Sequence, residues 1–342
     1  MELVERHIIK PDHRFYREAD RLSLLCKNIY NSANYIYRQK IFARQQTNAL
    51  AVYHALKTSP DYKSLPAKVA QGTLSLMLKA WTSYYLGVRN YQENTTKFKT
   101  APKFPHYKGS RERTREEGRY VVVFNCQAVS KKALKKGYYR SSGTNIWFPS
   151  KVISLLEIRI VPKVGCYVVE VFSENLEQPL QVNQRVAAIG LGLNNLATLT
   201  YNVPGLVPTI YEGQGVKSRN QYCNQVSSAL KSLLPVAQKN RKKVTQLWHK
   251  RNCKVDYYFY TTSSAIIKGL VNHQMGLLAI GGNDDFKDGI NTGKVNNQNF
   301  PCIPHCRFVQ MLQYKGQLAG IQVGLGEESY TSKCSALDLE PI

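Results

Sequence analysis

Apolar residues recur at helical spacing in two stretches near the start of the chain. Leu22, Leu25, Cys26, Ile29, Ala33 and Ile36 form one stripe. Val69, Leu76, Met77, Ala80, Trp81, Tyr84, Val88 and Tyr91 form a second, with Pro66 placed to start the helix. Stripes of this kind are first of all core-facing surfaces. Between residues 97 and 140 the periodicity breaks, and Pro102, Pro105 and several glycines argue against a helix. Residues 120–124, 145–148, 157–161 and 166–172 then alternate β-branched or aromatic residues with polar ones, predicting short strands of a small barrel or sandwich. A polar connection, 173–184, leads into the second half. There 186–189, 197–201 and 207–211 predict a β-meander, followed by a long helical region. Within it, after Pro235, Val236, Val244, Leu247, Trp248 and Val255 share one face. Residues 277–280 read as a short buried strand, 308–318 as a helix and 321–325 as one more strand.

The 342 residues are enough for two or three domains, and the 43% hydrophobic content allows a sizeable core. Charge narrows the partners. Lys and Arg number 47 against 23 acids, a net charge of +24, and an excess of this size points to a polyanion. Nucleic acid fits better than a membrane surface, because no run of 18 apolar residues exists and the start of the chain is polar. The 22 tyrosines suit stacking on bases, although tyrosine also serves cores. The eight cysteines form no Cys-x-x-Cys pair, so reduced, mostly buried thiols in the cytoplasm are expected.

The basic residues are unevenly placed. Residues 1–180 hold 30 basic against 14 acidic side chains, and 181–342 hold 17 against 9. In 97–108, Lys97, Lys99, Lys103 and Lys108 alternate with aromatics and prolines, the composition of a loop that follows a phosphate backbone. The plainer alternative is a solvated loop. In 239–254, Lys239, Arg241, Lys242, Lys243, Lys250, Arg251 and Lys254 are unaccompanied by any acid. Lys239, Lys243, Lys250 and Lys254 share a helical face, so phosphate contact is expected there too. Cys302, His305 and Cys306 lie close together but lack a fourth ligand, and Pro301 and Pro304 make a helix start the simpler reading. Asp284, Asp285 and Asp288 follow the 277–280 strand and read as loop or capping residues.

One segment carries more specific information. Residues 186–201 read Val-Ala-Ala-Ile-Gly-Leu-Gly-Leu-Asn-Asn-Leu-Ala-Thr-Leu-Thr-Tyr. The stretch resembles the first strand of RNase H-like (RuvC-type) nucleases, except that Gly190 stands where that family has a metal-binding Asp. The resemblance extends from about residue 14 onward to the OrfB or TnpB proteins of small insertion sequences, which are RNA-guided DNA nucleases. The matching pieces, in the family's order, are 20–31, 65–69, 141–146, 192–198, 293–300 and 327–335.

This resemblance implies an α+β multi-domain chain. Residues 1–19 and 99–180 would build a wedge-like β-barrel, 20–98 a helical recognition insert, and 181–342 a shortened RNase H-like (RuvC) domain. It also implies which residues ought to hold metal. The first family acid falls at Gly190 and the second at Gly281. The third would lie beyond residue 342. Glu327 or Glu328 could supply a relocated carboxylate. Of the family's zinc ribbon, Cys334 occupies the first ligand position, but Leu337 stands at the second. Two-metal phosphodiester cleavage needs several converging carboxylates, and structural zinc needs about four ligands. Neither Mg²⁺ nor Zn²⁺ is therefore expected. The expected role is binding of a guide RNA and, through it, DNA without cutting, with no membrane partner and a cytoplasmic, nucleoid-associated location. Two alternatives stay open: a nuclease using relocated acids, and a basic RNA-binding scaffold with no DNA role. With a shortened second domain, the apolar face around 186–189 and 277–280 is expected to be partly uncovered.

Overall fold

The computed structural model describes residues 1–109, 118–152, 154–233, 242–281 and 303–326. The chain divides into two compact units, residues 2–175 and residue 1 with 176–342.

The first unit places helices on a small antiparallel sheet. Strand β1 (Glu2–Ile9) leads into helix α1 (Tyr16–Phe42), the short helices α2 (Ala49–Leu56) and α3 (Pro60–Lys63), and helix α4 (Ala67–Glu93). Both predicted stripes form. Leu22, Cys26, Ile29 and Ala33 are buried on α1, and Val69, Met77 and Trp81 on α4, which Pro66 begins. Strands β2 (Val122–Asn125), β5 (Leu155–Lys163) and β6 (Cys166–Glu174) join β1 in a sheet of order β1-β6-β5-β2. Between β2 and β5, the helix α5 (Lys131–Lys135) precedes a separate hairpin, β3 (Tyr138–Arg140) with β4 (Trp147–Pro149).

The expected barrel is not what forms. Among the described residues the four-stranded sheet is open, with β1 and β2 at its edges. The reason lies in strand lengths. β5 and β6 pair as a long hairpin, but β2 offers only four residues, and β3 and β4 pair with each other alone. The helices cover this sheet instead: Ile29, Val69 and Trp81 share one core with Phe124, Ile158 and Val169. Removing the Trp81 ring would cost about 3–5 kcal/mol by the usual cavity penalty.

Polar pins set how α1 sits. Asp20 accepts from Arg119 through Nε at 3.1 Å and Nη2 at 2.9 Å, and from the Tyr167 hydroxyl at 2.6 Å. Asn31 exchanges two bonds with the backbone of Lys108. Asn34 accepts from the Trp81 indole and donates to the Pro105 carbonyl. Several polar residues of the 20–34 stretch thus have structural work inside this unit.

Among the described residues the second unit is a mixed five-stranded sheet with helices on one face. The predicted meander is present as β7 (Val186–Leu191), β8 (Asn195–Tyr201) and β9 (Thr209–Glu212). Helix α6 (Gln214–Ser232) and helix α7 (Lys242–Asn272) follow, then β10 (Leu277–Gly281), helix α8 (His305–Leu318) and β11 (Gln322–Gly326). The order is β11-β10-β7-β8-β9, and β10 and β11 run parallel to β7. The apolar face is not left open as expected. Ala187, Ile189, Leu278 and Ile280 are buried against Val216 of α6, Phe259 and Ile266 of α7, and Phe308 and Leu312 of α8. Three helices therefore supply the cover on that face. No helix among the described residues is long and apolar enough to cross a membrane.

Candidate functional site

Side chains alternate between the two faces of a strand. With Ala187 and Ile189 facing the helices, Ala188 and Gly190 face the other way, and both are exposed. The same alternation puts Ala279 and Gly281 on the open face of β10. Pairing then aligns the small residues in rows. Ala188 lies opposite Thr200 and Gly190 opposite Thr198. Ala279 pairs with Ala188 on one side and Gly324 on the other. One step further along the strands come Gly190, Gly281 and Gly326, with Gly281 paired to Gly326. The three glycines line one shallow cleft together with Thr198 and Thr200. The two positions that the resemblance marks for metal-binding acids thus fall side by side, on adjacent strands spaced about 4.8 Å apart.

A Cβ at Gly190 or Gly326 would meet nothing within 4 Å, so neither glycine is required by packing. Gly192 differs, since a Cβ there would lie 2.7 Å from the Asn195 carbonyl oxygen, and Gly213 differs likewise, where a Cβ would run into the Leu193 carbonyl oxygen. These two close approaches explain why glycine brackets the β7–β8 turn and the start of α6.

The donor set in this cleft does not suit a divalent cation. Mg²⁺ takes oxygen ligands, carboxylates above all, and the floor of the cleft carries only backbone, aliphatic groups and the hydroxyls of Thr198 and Thr200. Among the described residues no cluster of three His, Cys, Asp or Glu could hold a metal. Glu327, Glu328 and Cys334 lie outside the described residues, as do Cys302 and Asp284, Asp285 and Asp288. His305 is buried at the start of α8, directly after Pro304, with Nε2 3.2 Å from the Gly192 carbonyl oxygen, while Cys306 is exposed. That is the helix start the prolines suggested.

The basic helix is α7, and its lysines do not all behave alike. Lys243, Lys250 and Lys254 are exposed and recur at spacings of seven and four, so they share one face. Tyr257, 72% exposed, continues that face one turn further. Sequence reasoning missed this tyrosine, although its spacing from Lys250 and Lys254 signals it. Arg251 turns away. It is buried, and its Nε donates to Asn220 Oδ1 of α6 at 2.6 Å, while Nη1 reaches Asn252. Its charge holds α6 against α7 rather than facing phosphate, which corrects its expected place in the basic face. Lys239 and Arg241 lie outside the described residues, as does the side chain of Lys242.

In the other unit, Lys97, Lys99 and Lys103 fall on the 97–108 segment, and all three are exposed. The segment carrying them is neither a free loop nor a helix throughout. Phe104 packs with Trp81 and Tyr84, and the Pro105 carbonyl accepts from Asn34 and Arg38. Lys108 is half-buried, with Nζ 4.9 Å from the centroid of the Tyr30 ring and 5.3 Å from that of Tyr120. Burial lowers its pKa from the usual lysine value. Its backbone bonds with Asn31 make it an anchor of the segment.

A family model described as a probable transposase, OrfB_IS605, matches residues 166–286. No curated protein matches the chain. Among solved structures, a Cas12f1–sgRNA–target DNA complex is similar at 12% identity with a TM-score of 0.35, covering 97% of this chain and 87% of that one. A CRISPR–Cas12f ternary complex is similar at 13% identity and a TM-score of 0.38, covering 94% and 74%.

Proposed function

We propose that this chain, whose residues 166–286 match the OrfB_IS605 probable-transposase family, binds a guide RNA and through it DNA, and does not cut the DNA. The second unit is read as an RNase H-like (RuvC) sheet. A meander extended on its far side by two parallel strands supports that reading. The observation that carries the loss of cleavage is the glycine pair. Gly190 and Gly281 stand next to each other on the open face, where carboxylates would have to converge, and neither can ligate a metal. No step of hydrolysis can be derived through a cation that these residues cannot hold, and no Mg²⁺ or Zn²⁺ is assigned to the protein.

Binding rests on charge and on the exposed face of α7. The net charge of +24 favours a polyanion, and Lys243, Lys250, Lys254 and Tyr257 combine phosphate contacts with an aromatic surface. Base pairing by the guide would supply sequence specificity while the protein holds the backbone. A cytoplasmic, nucleoid-associated location is part of the same proposal.

The test is to purify the full chain from cells, sequence the RNA that comes with it, and measure retention of DNA complementary to that RNA. One enriched RNA that directs DNA retention supports the reading. RNA without directed DNA retention would favour the scaffold alternative. Glu327 and Glu328 follow Gly326 directly in sequence, so the nuclease alternative is tested by a Mg²⁺ cleavage assay on the same preparation.

A further inference from the structure

The β3–β4 hairpin turns one face into the core and leaves the other outside. Tyr139 and Phe148 point inward and are buried. Arg140 and Trp147 are cross-strand partners on the outer face, beside the Tyr138–Pro149 pair. Trp147 is 39% exposed despite its size. The Arg14 guanidinium lies over its indole, 4.4 Å from the ring centroid, and Tyr138 meets it edge-on at 6.0 Å. A cleft of about 600 Å³, lined by Phe15, Tyr138, Arg140, Asn145 and Trp147, opens against the indole.

A second cleft, of about 550 Å³, adjoins it and shares Arg140 and Asn145. It is formed by the 141–145 turn of the same hairpin and is polar: Ser141, Ser142 and Glu18 line it. Glu18 holds the turn, accepting from the Asn145 N–H at 3.1 and 3.2 Å. Ser141 is the unexplained residue. It is 1% exposed, and its hydroxyl has no hydrogen-bond partner among the described residues. A buried hydroxyl without a partner loses its hydration with nothing in return, so a ligand that supplies a partner is favoured there.

The two clefts differ in a way that matches the two halves of a nucleoside. An aromatic ledge beside a guanidinium suits a flat base, through stacking and the cation's attraction to π-faces. A pocket of hydroxyls and a carboxylate suits a sugar with hydroxyl donors. The surroundings are basic, since Lys131, Lys132, Lys135 and Lys136 are all exposed on or just after α5, which packs on β3.

We propose that the outer face of the β3–β4 hairpin is a binding site for one unpaired ribonucleotide. Its base stacks beside Trp147, its ribose hydroxyls bond Glu18 and Ser141, and its phosphate faces Arg140. The 2′-hydroxyl is the group that lets such a site prefer RNA over DNA. This inference rests on the reading of the chain as a nucleic-acid binder and adds a defined site to it.

The experiment measures binding of fluorescein-labelled octauridylate and of its deoxy counterpart to the full chain, at salt high enough to suppress non-specific contacts. Trp147→Ala should weaken octauridylate binding about 5- to 150-fold, the loss expected for one stacked base, and Trp147→Phe should recover most of it. Arg140→Ala, on an exposed residue that leaves the fold intact, should weaken both oligonucleotides. Glu18→Gln keeps an acceptor for Asn145 and should narrow the preference for RNA over DNA. A folded Trp147→Ala variant with unchanged affinity would overturn the site, and equal affinity of the unmodified chain for both oligonucleotides would overturn the ribose assignment. If the Trp147 and Arg140 variants bind normally while a Lys243, Lys250 and Lys254 triple alanine variant does not, this inference falls and the nucleic-acid reading stands. If the unmodified chain binds neither oligonucleotide nor cellular RNA, both fall.

Discussion

Arg251 and Asn220 join α7 to α6 through a buried hydrogen bond of 2.6 Å between Nε and Oδ1. A guanidinium buried and held in this way is turned away from a phosphate outside. Arg251→Ala should therefore destabilise the protein, by about 1.5–3 kcal/mol for a hydrogen bond to a charged group, and leave the salt dependence of nucleic-acid binding unchanged. Arg251→Lys should not restore stability fully, because an ammonium lacks the planar fork. Denaturant melts read the first effect and binding titrations the second. A normal melt with a shallower salt slope would reverse the assignment.

The exposed lysines should behave in the opposite way. Replacing Lys243, Lys250 and Lys254 together with alanine should lower the slope of log K against log salt by about 0.7–0.9 for each phosphate that is no longer neutralised. Stability should change little, since all three are exposed. Tyr257→Ala should weaken binding without altering that slope, because stacking releases no counterions. An unchanged slope in the triple variant would mean that this face of α7 is merely solvated.

Gly190 has open space above it, so Gly190→Asp should fold with a melting temperature close to that of the unmodified chain. Alone it should not bind a divalent cation, because one carboxylate does not make a site. Gly190→Asp with Gly281→Glu puts two carboxylates on neighbouring strands. Titration with Mn²⁺, followed by electron paramagnetic resonance, should detect binding in the double variant and not in either single one. Binding by a single variant would show that further ligands already converge there.

Lys315 on α8 donates to the Tyr260 carbonyl and to the hydroxyls of Ser263 and Ser264, each at 2.7 Å, across the α7–α8 interface. Burial pulls its pKa down from 10.5 to about 8. The unfolded chain thus binds more protons than the folded one between these values, and stability rises with pH across that window. The penalty of holding the charged amine is fully present below about pH 8 and is relieved as the pH climbs towards 10.5. The melting temperature of the unmodified protein, measured relative to Lys315→Met, should increase from pH 7 to pH 9.5. A difference that does not vary with pH would contradict this.

The sequence made the two long helices of the first unit and every described strand of the second legible, because Leu22, Cys26 and Ile29, or Ala187 and Ile189, keep the period of the element they occupy. Three kinds of feature stayed hidden. Strand β1 alternates charged residues with apolar ones, but its pairing depends on β6, which lies far along the chain in a register running from Ile9–Tyr167 to Glu2–Glu174, and no local signal reports that partner. Helix α6 is polar on most of its surface and buries Val216, Asn220, Cys223 and Ser227, so its stripe is not an apolar one. The fate of Arg251 depends on Asn220 across the helix pair, and a basic run alone does not separate a buried arginine from exposed lysines. The glycine row is the reverse case. Gly190 and Gly281 are each visible in sequence, but their adjacency follows from the register of β7, β10 and β11.

The central claim is that this chain holds nucleic acid without cutting it, and the direct measurement is a cleavage assay. The full chain, purified with its own RNA, is incubated with labelled DNA complementary to that RNA in the presence of Mg²⁺, beside a mock purification that controls for contaminating nucleases. The account predicts DNA that is retained by the complex and remains intact, for the unmodified chain and for Gly190→Asp alike. Mg²⁺-dependent cutting by the unmodified chain above the mock control would contradict it.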